Sequence, residues 1–284
     1  MSAAPSALWP KYWDQDELDK QYNPRGTVPD LTPHLVEYRA RTDAAKQRLT
    51  CHIGLAYGGT EPERLDVYPA GPGAPVFMFI HGGYWRALDA ADSGFMAEAM
   101  VAHGICVVAV NYTLAPEASL DEIVRQCRAA LAWVHAHIAE YGGDPARIHV
   151  SGSSAGGHLS AMLAAKSAPG AEFVHSVTLL SGLYDLTLLP QTHINGWIKL
   201  DAESALRNSP LYLLPREGLP IIGTYAPNET AEFKRQSEVY FAACTTIGCK
   251  VQTVAVPNTN HFDIVLALAD AGSPLSLAVR AVIG

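Results

Sequence analysis

What the 284-residue chain lacks narrows its function sharply. It has no excess of basic charge: 20 Lys and Arg against 28 Asp and Glu give a formal charge of -8, which repels phosphate backbones and argues against nucleic-acid binding. It has no long apolar run. The longest near the middle, Val76-Phe77-Met78-Phe79-Ile80, suits a buried strand and falls far short of a membrane span. Its five cysteines (Cys51, Cys106, Cys127, Cys244, Cys249) are odd in number, widely spaced and without a C-x-x-C pair, which fits reduced thiols in a cytoplasmic protein better than a disulfide framework. Met1 to Pro10 lacks the basic and apolar regions of a signal peptide, so none is expected. Metal-ligand spacing is missing too: His135 and His137, two apart, point to different faces of a helix. With neither a phosphate-binding G-x-x-x-x-G-K-[ST] loop nor a dinucleotide fingerprint, no cofactor and no metal are expected.

What remains is a chain rich in buried strands. An apolar share of 49% with 17% charged residues describes a well-packed globule, and no linker, repeat or low-complexity tract divides it. A single domain over 1–284 is therefore expected, with residues 1 to 45, polar and carrying prolines at 5, 10, 24, 29 and 33, as a segment packing over it. Strand patterns follow at Cys51 to Tyr57, Leu65 to Tyr68, Val76 to Ile80 and Ile105 to Val110. Leu120 to Tyr141 carries a helical apolar stripe that Gly142-Gly143-Asp144-Pro145 stops. Strands at Ile148 to Ser151, Val174 to Leu180, Leu219 to Gly223 and Lys250 to Val256 then alternate with helices at Ala155 to Lys166 and Ala231 to Thr246, with a last helical stretch beyond Phe262. That alternation predicts an α/β fold with a mostly parallel central sheet flanked by helices. The long excursion at 184–214 predicts a helical lid or cap over the strand ends.

Within this frame, Gly152-Ser153-Ser154-Ala155-Gly156 sets a serine between glycines at a strand-to-helix junction. Such a turn holds the serine in a strained conformation, lifts its Oγ clear of the sheet and sets it above a helix N-terminus. A serine nucleophile needs a base, a group to orient that base, and donors aimed at the developing oxyanion. The base predicted here is His261, after the last strand, and the acid is Glu229, after the strand Leu219 to Gly223. Asp185 is the alternative acid; Asp263 stands too close to His261, and Glu232 and Glu238 are expected to be solvated. The predicted oxyanion donors are the N–H groups of Ala155 and of Gly82 and Gly83, in the loop His81-Gly82-Gly83-Tyr84-Trp85 beyond the Val76 to Ile80 strand. Tyr84, Trp85 and Trp197 are the expected aromatic walls for substrate.

His81-Gly82-Gly83-Tyr84-Trp85, the serine turn running on to Gly157-His158-Leu159, Ser181-Gly182-Leu183-Tyr184-Asp185-Leu186, Glu229 to Ser237, Asn260-His261-Phe262-Asp263, and Asp19-Lys20-Gln21-Tyr22-Asn23-Pro24-Arg25 together resemble the kynurenine formamidase (arylformamidase) branch of the α/β-hydrolases. Asn111 to Glu117 and Tyr141 to Pro145 are similar to hormone-sensitive-lipase-type esterases. The resemblance implies an α/β-hydrolase fold, Ser154 as nucleophile, His261 as base, Glu229 as acid, and metal-free hydrolysis of a small aromatic N-formyl or N-acyl amide, such as N-formylkynurenine or an N-acylanthranilate. A general carboxylesterase is the alternative enzyme, and a non-catalytic ligand-binding protein on the same fold is the alternative of another class. The expected partner is the small aromatic substrate; whether the chain forms a homodimer is left open.

Overall fold

A computed structural model describes residues 14–284. The apolar runs become β1 (His52–Ala56), β2 (Arg64–Tyr68), β3 (Ala74–Ile80), β4 (Cys106–Val110), β5 (Gly143–Ser153), β6 (Val174–Leu180), β7 (Pro220–Thr224) and β8 (Lys250–Thr253). They form one sheet in the order β1-β2-β4-β3-β5-β6-β7-β8. β1 and β2 pair antiparallel, as do β2 and β4; every pairing from β4 onward through β8 is parallel. Parallel strands need crossovers, which put helices on both faces, and β3 is buried along its whole length as that arrangement requires. Its side chains alternate: Val76, Met78 and Ile80 join one apolar cluster, Phe77 and Phe79 the other.

The helices are α1 (Gln15–Gln21), α2 (Thr32–Arg48), α3 (Ala97–Val101), α4 (Leu120–His137), α5 (Ala155–Ala164), α6 (Asn195–Ile198), α7 (Ala202–Arg207), α8 (Ala231–Thr246) and α9 (Pro274–Ile283). α4 starts where the Ser119 side chain accepts the Glu122 N–H and buries the stripe Leu120, Ile123, Val124, Cys127, Leu131 and Val134. Its final turn tightens into a 3-10 helix, Ile138–Tyr141, which Gly142 closes at φ 84. β8 ends at Thr253, short of the expected Val256, although the Val254 N–H still bonds Gly223 O before Pro257 intervenes. Among the described residues no helix is long and apolar enough to cross a membrane.

Two segments reach across the C-terminal ends of the parallel strands, where the site lies. Residues 184–214 contain α6 and α7 between two 3-10 turns, and Leu186, Leu189, Ile194 and Ile198 bury themselves in the main apolar cluster. The first described helix, α1, is tied down by Tyr22, fully buried, whose hydroxyl donates to Glu232 Oε1 at 3.0 Å. Glu232 is thus buried in α8, not solvated: Arg235 binds both of its oxygens, at 2.8 and 2.7 Å, and Gln236 Nε2 donates to Oε1 at 2.8 Å. A carboxylate can be buried when charge and hydrogen bonds answer it from several sides.

Candidate active site

β5 ends at Ser153 and α5 begins at Ala155, so Ser154 is the whole turn between them. It takes φ 58 and ψ -119, a conformation that costs a non-glycine residue on the order of 1–3 kcal/mol. Hydrogen bonds on both sides hold it there: Ser154 N–H donates to Leu180 O at 2.8 Å, and Ser154 O accepts the His158 N–H at 3.0 Å. Sterics dictate the flanking glycines. A Cβ at Gly152 would collide with the Gly156 carbonyl, and one at Gly156 with Ile80 O, because the turn folds directly onto β3. The Ala155 N–H opens α5, where no intrahelical acceptor exists for it.

His261 and Glu229 lie side by side. Nδ1 of His261 lies 3.3 Å from Glu229 Oε1, with both side chains all but removed from solvent. The same Oε1 accepts the Ala226 N–H at 3.1 Å and a hydrogen bond from the Ser181 hydroxyl. Asp185 stands elsewhere, accepting from Thr187 N and Oγ1 at 3.0 and 2.6 Å and from the Tyr212 hydroxyl at 3.1 Å. Asp263 is occupied by Asn260, which donates from its backbone and its amide at 2.6 Å each, so it braces the loop that carries His261.

The loop after β3 packs onto the serine turn. A Cβ on Gly82 would stand 2.7 Å from Ser153 O and 3.3 Å from Ser154 Cβ, so only glycine fits. Tyr112 clamps this loop: its ring stacks on His81 at 4.1 Å, and its hydroxyl lies 3.0 Å from His81 O and 3.2 Å from Gly82 O. In a trans peptide the C=O and the next N–H point opposite ways, so fixing these carbonyls also fixes the N–H groups of Gly82 and Gly83. His81 Nδ1 is 3.0 Å from Gly82 O and must donate to it, which leaves Nε2 without a proton. Burial depresses the His81 imidazole to about 4, and that of His158 beneath the turn likewise to about 4.

Gly83, Tyr84 and Trp85 all have positive φ (84, 51 and 58), an unusual run for two bulky residues. Outside contacts hold it: Trp197 Nε1–H donates to Tyr84 O at 3.1 Å, Ala115 N–H to Trp85 O at 2.7 Å, and the Tyr84 hydroxyl to Tyr22 O at 2.6 Å. The run turns Trp85 inward. It is fully buried against His158, with ring centroids 5.1 Å apart, and is not among the residues lining the cavity. Tyr84 and Trp197 do line it, with Gly82, Gly83, Ser154 and His261; the backbone twist is why the expected third wall is missing.

That cavity holds about 460 Å³. Its lining includes apolar Leu31, Leu35, Phe79, Phe95 and Val265, and also Arg25, Arg86, His193 and Trp197. α2 and the turn before it supply walls to which the sequence reading assigned no role, although Tyr22-Asn23-Pro24-Arg25 stood among the motifs of the resemblance. Among the described residues no cluster of His, Cys, Asp and Glu could hold a metal ion. The arrangement has what acyl transfer requires: a hydroxyl in a strained turn on the cavity wall, an imidazole with a carboxylate beside it, and a glycine loop packed onto the serine turn.

A sheet of this order with its serine turn at the centre is the architecture of the α/β-hydrolases. A solved structure described as a thioesterase from Silicibacter sp. superposes with a TM-score of 0.83 at 27% identity, over 93% of this chain and 99% of that one. The thermophilic carboxylesterase EstE1, from a metagenomic library, shares the fold at a TM-score of 0.72 and 21% identity, over 99% and 97% of the two chains. Residues 65–178 match the family model BD-FAE. In sequence the chain is 35% identical to the kynurenine formamidase of Salmo salar, over 92% of this chain and 93% of that protein. The chain belongs to the kynurenine formamidase family of the α/β-hydrolases, and it is a hydrolase.

Proposed function

We propose that the protein is a serine hydrolase of small aromatic N-formyl or N-acyl amides, working through an acyl-enzyme. Ser154 Oγ attacks the amide carbonyl carbon while His261 accepts its proton, and Glu229 orients the imidazole and balances its charge. The N–H groups of Gly82, Gly83 and Ala155 receive the oxyanion. His261 then gives its proton to the leaving nitrogen, the C–N bond breaks, and the arylamine departs. Water, deprotonated by the same imidazole, releases the acid, which is formate when the acyl group is formyl. An aryl nitrogen leaves more readily than an alkyl one because its lone pair delocalises into the ring, so a site of esterase design suffices.

The observation that carries this reading is Ser154 at φ 58 and ψ -119, packed against Gly82, on a chain whose salmon relative is named a kynurenine formamidase. The apolar residues in the cavity lining favour a second reading, a carboxylesterase acting on acyl chains longer than formyl. Rates measured side by side on N-formylkynurenine, N-acylanthranilates and p-nitrophenyl esters separate the two. A Ser154→Ala protein with full turnover sinks both, and failure to react with a fluorophosphonate probe would make the protein a ligand binder. The same reading treats the chain as one domain in which 184–214 caps the site, since His193, Ile194 and Trp197 line the cavity. The five free thiols support a reducing, cytoplasmic setting.

A further inference from the structure

Gln21 and Tyr22 close α1, and a helix leaves its last carbonyls without intrahelical donors. Here two consecutive ones are answered from different parts of the chain. Gln21 O accepts the Thr230 hydroxyl at 2.7 Å, and Tyr22 O accepts the Tyr84 hydroxyl at 2.6 Å. Thr230 is the residue after Glu229, and Tyr84 the residue after Gly83. The end of one helix thus joins the turn that carries the acid to the loop that packs on Ser154, two segments far apart in sequence.

This joint is anchored in the core. The Gln21 side chain adds a further bond, its Oε1 accepting the Glu232 N–H at 3.1 Å in the first turn of α8. Tyr22 is fully buried; its hydroxyl donates to Glu232 Oε1 at 3.0 Å and accepts from Gln236 Nε2 at 3.2 Å. Burial, and after it the charge of Glu232, push the Tyr22 phenol far above its usual range, so the hydroxyl remains a donor. Gln236 Oε1 in turn accepts the N–H groups of Tyr184 and Asp185 at 2.7 and 2.9 Å, beyond the end of β6. Phe233 fills the space inside: its ring meets Tyr84 at 6.4 Å and His261 at 5.0 Å, each edge to face. Tyr22 does not line the cavity, so any effect it has on turnover must pass through these contacts.

We propose that Gln21 and Tyr22 are positioning residues, and that the C-terminal end of α1 holds the oxyanion loop and the acid-bearing turn in register with each other. This rests on the hydrolase reading above. A tetrahedral intermediate draws on both segments at once, on the loop N–H groups for its oxyanion and on Glu229 for the imidazolium beside it. A shift of either segment by a fraction of an ångström weakens one of those contacts. The bound substrate before attack makes neither demand in full, so the joint acts on kcat and leaves KM nearly unchanged.

The test measures kcat and KM for p-nitrophenyl acetate in wild type, Tyr22→Phe, Tyr84→Phe and the double variant, with active sites counted by a fluorophosphonate so that unfolded protein drops out. Each substitution keeps the ring and removes one hydroxyl. Turnover per active site should fall about fivefold in each single variant, with KM within about twofold of wild type. Because both hydroxyls act through the same joint, the double variant should lose little more than the worse single one. The Kd of phenylboronic acid, which forms a tetrahedral adduct on the serine, should rise in step with the loss of kcat. Wild-type kcat in Tyr22→Phe, a change confined to KM, or losses that multiply in the double variant overturn the proposal while the hydrolase reading stands. If Tyr22→Phe does not fold, Tyr84→Phe decides: lower kcat with weaker boronic acid binding supports the joint, and wild-type values overturn it. A wild-type chain that neither takes up the fluorophosphonate nor cleaves the ester is a distinct result, which overturns the hydrolase reading and the proposal with it.

Discussion

Ser181 donates its hydroxyl hydrogen to Glu229 Oε1, the oxygen that lies 3.3 Å from His261 Nδ1. Ser181 follows β6 at φ 50, with its N–H on Thr224 O at 2.9 Å, so the donor is fixed by backbone before the acid arrives from the turn after β7. Removing this hydroxyl frees the carboxylate to turn away from the imidazole. Ser181→Ala is expected to lower kcat about tenfold with little change in KM, the scale of one hydrogen bond to a charged group. Ser181→Gly loses the same hydroxyl but suits the positive φ, so it should lose as much activity while unfolding at a higher temperature than Ser181→Ala. Wild-type kcat in both variants would remove Ser181 from the positioning of Glu229.

The strain at Ser154 gives a second prediction, in stability. Glycine adopts φ 58 and ψ -119 without penalty, so Ser154→Gly should abolish ester hydrolysis and stabilise the fold by about 1 kcal/mol, after the larger chain entropy of glycine is subtracted. Thermal unfolding should show a midpoint roughly 2 °C higher. A lower midpoint would mean that Oγ makes a stabilising contact the strain argument omits.

Gly156 and Gly196 form a matched pair for the packing of the turn. A Cβ at 156 runs into the Ile80 carbonyl of β3, whereas at 196 it meets nothing within 4 Å. Gly156→Ala should destabilise by about 3 kcal/mol and cost activity, because α5 must back away from β3. Gly196→Ala, inside α6, should be neutral or stabilising by about 0.5 kcal/mol. Urea midpoints of the two variants decide the matter, and equal midpoints would contradict the close approach.

Acid should weaken the fold through buried imidazoles. His81, His149 and His158 are each depressed to about 4 by burial, against an unfolded value near 6.5. Between those values the unfolded chain binds more protons than the folded one, so stability rises with pH through this window and is lost as pH falls from about 6.5 toward 4. Each histidine contributes a few kcal/mol at most. Urea denaturation at about pH 7, 5.5 and 4.5 should give falling midpoints, less steeply in His149→Gln, which removes one such group. A flat profile would show that these rings accept protons without cost.

Much of the fold was legible because its signals are local. The strands β3 and β4 declare themselves as unbroken apolar runs, and the glycines around Ser154 mark a turn that tolerates no side chain. Ser154, Glu229 and His261 could be put forward together from chain order, since each follows a strand of the parallel sheet, and the structure brings Glu229 to 3.3 Å from His261. What could not be read depends on distant contacts or on backbone twist. Glu232 was expected in water because its partner Tyr22 stands 210 residues away. The inward turn of Trp85 follows from three successive positive φ values, which no periodicity encodes. The walls that α2 lends the cavity were likewise hidden, because a polar surface helix carries no sign of what its few apolar residues face.

The strap formed by α1 and the turn after it touches three separate parts of the molecule: Tyr22 reaches α8, Asp19 reaches His193, and the Tyr84 hydroxyl reaches Tyr22 O. Asn23, Pro24 and Arg25 then line the cavity that Ser154 also faces. The walls of this cavity thus come partly from a stretch remote in sequence from Ser154 and His261. Exchanging that stretch between relatives would reshape the doorway while the sheet, the serine turn and the histidine loop stay as they are.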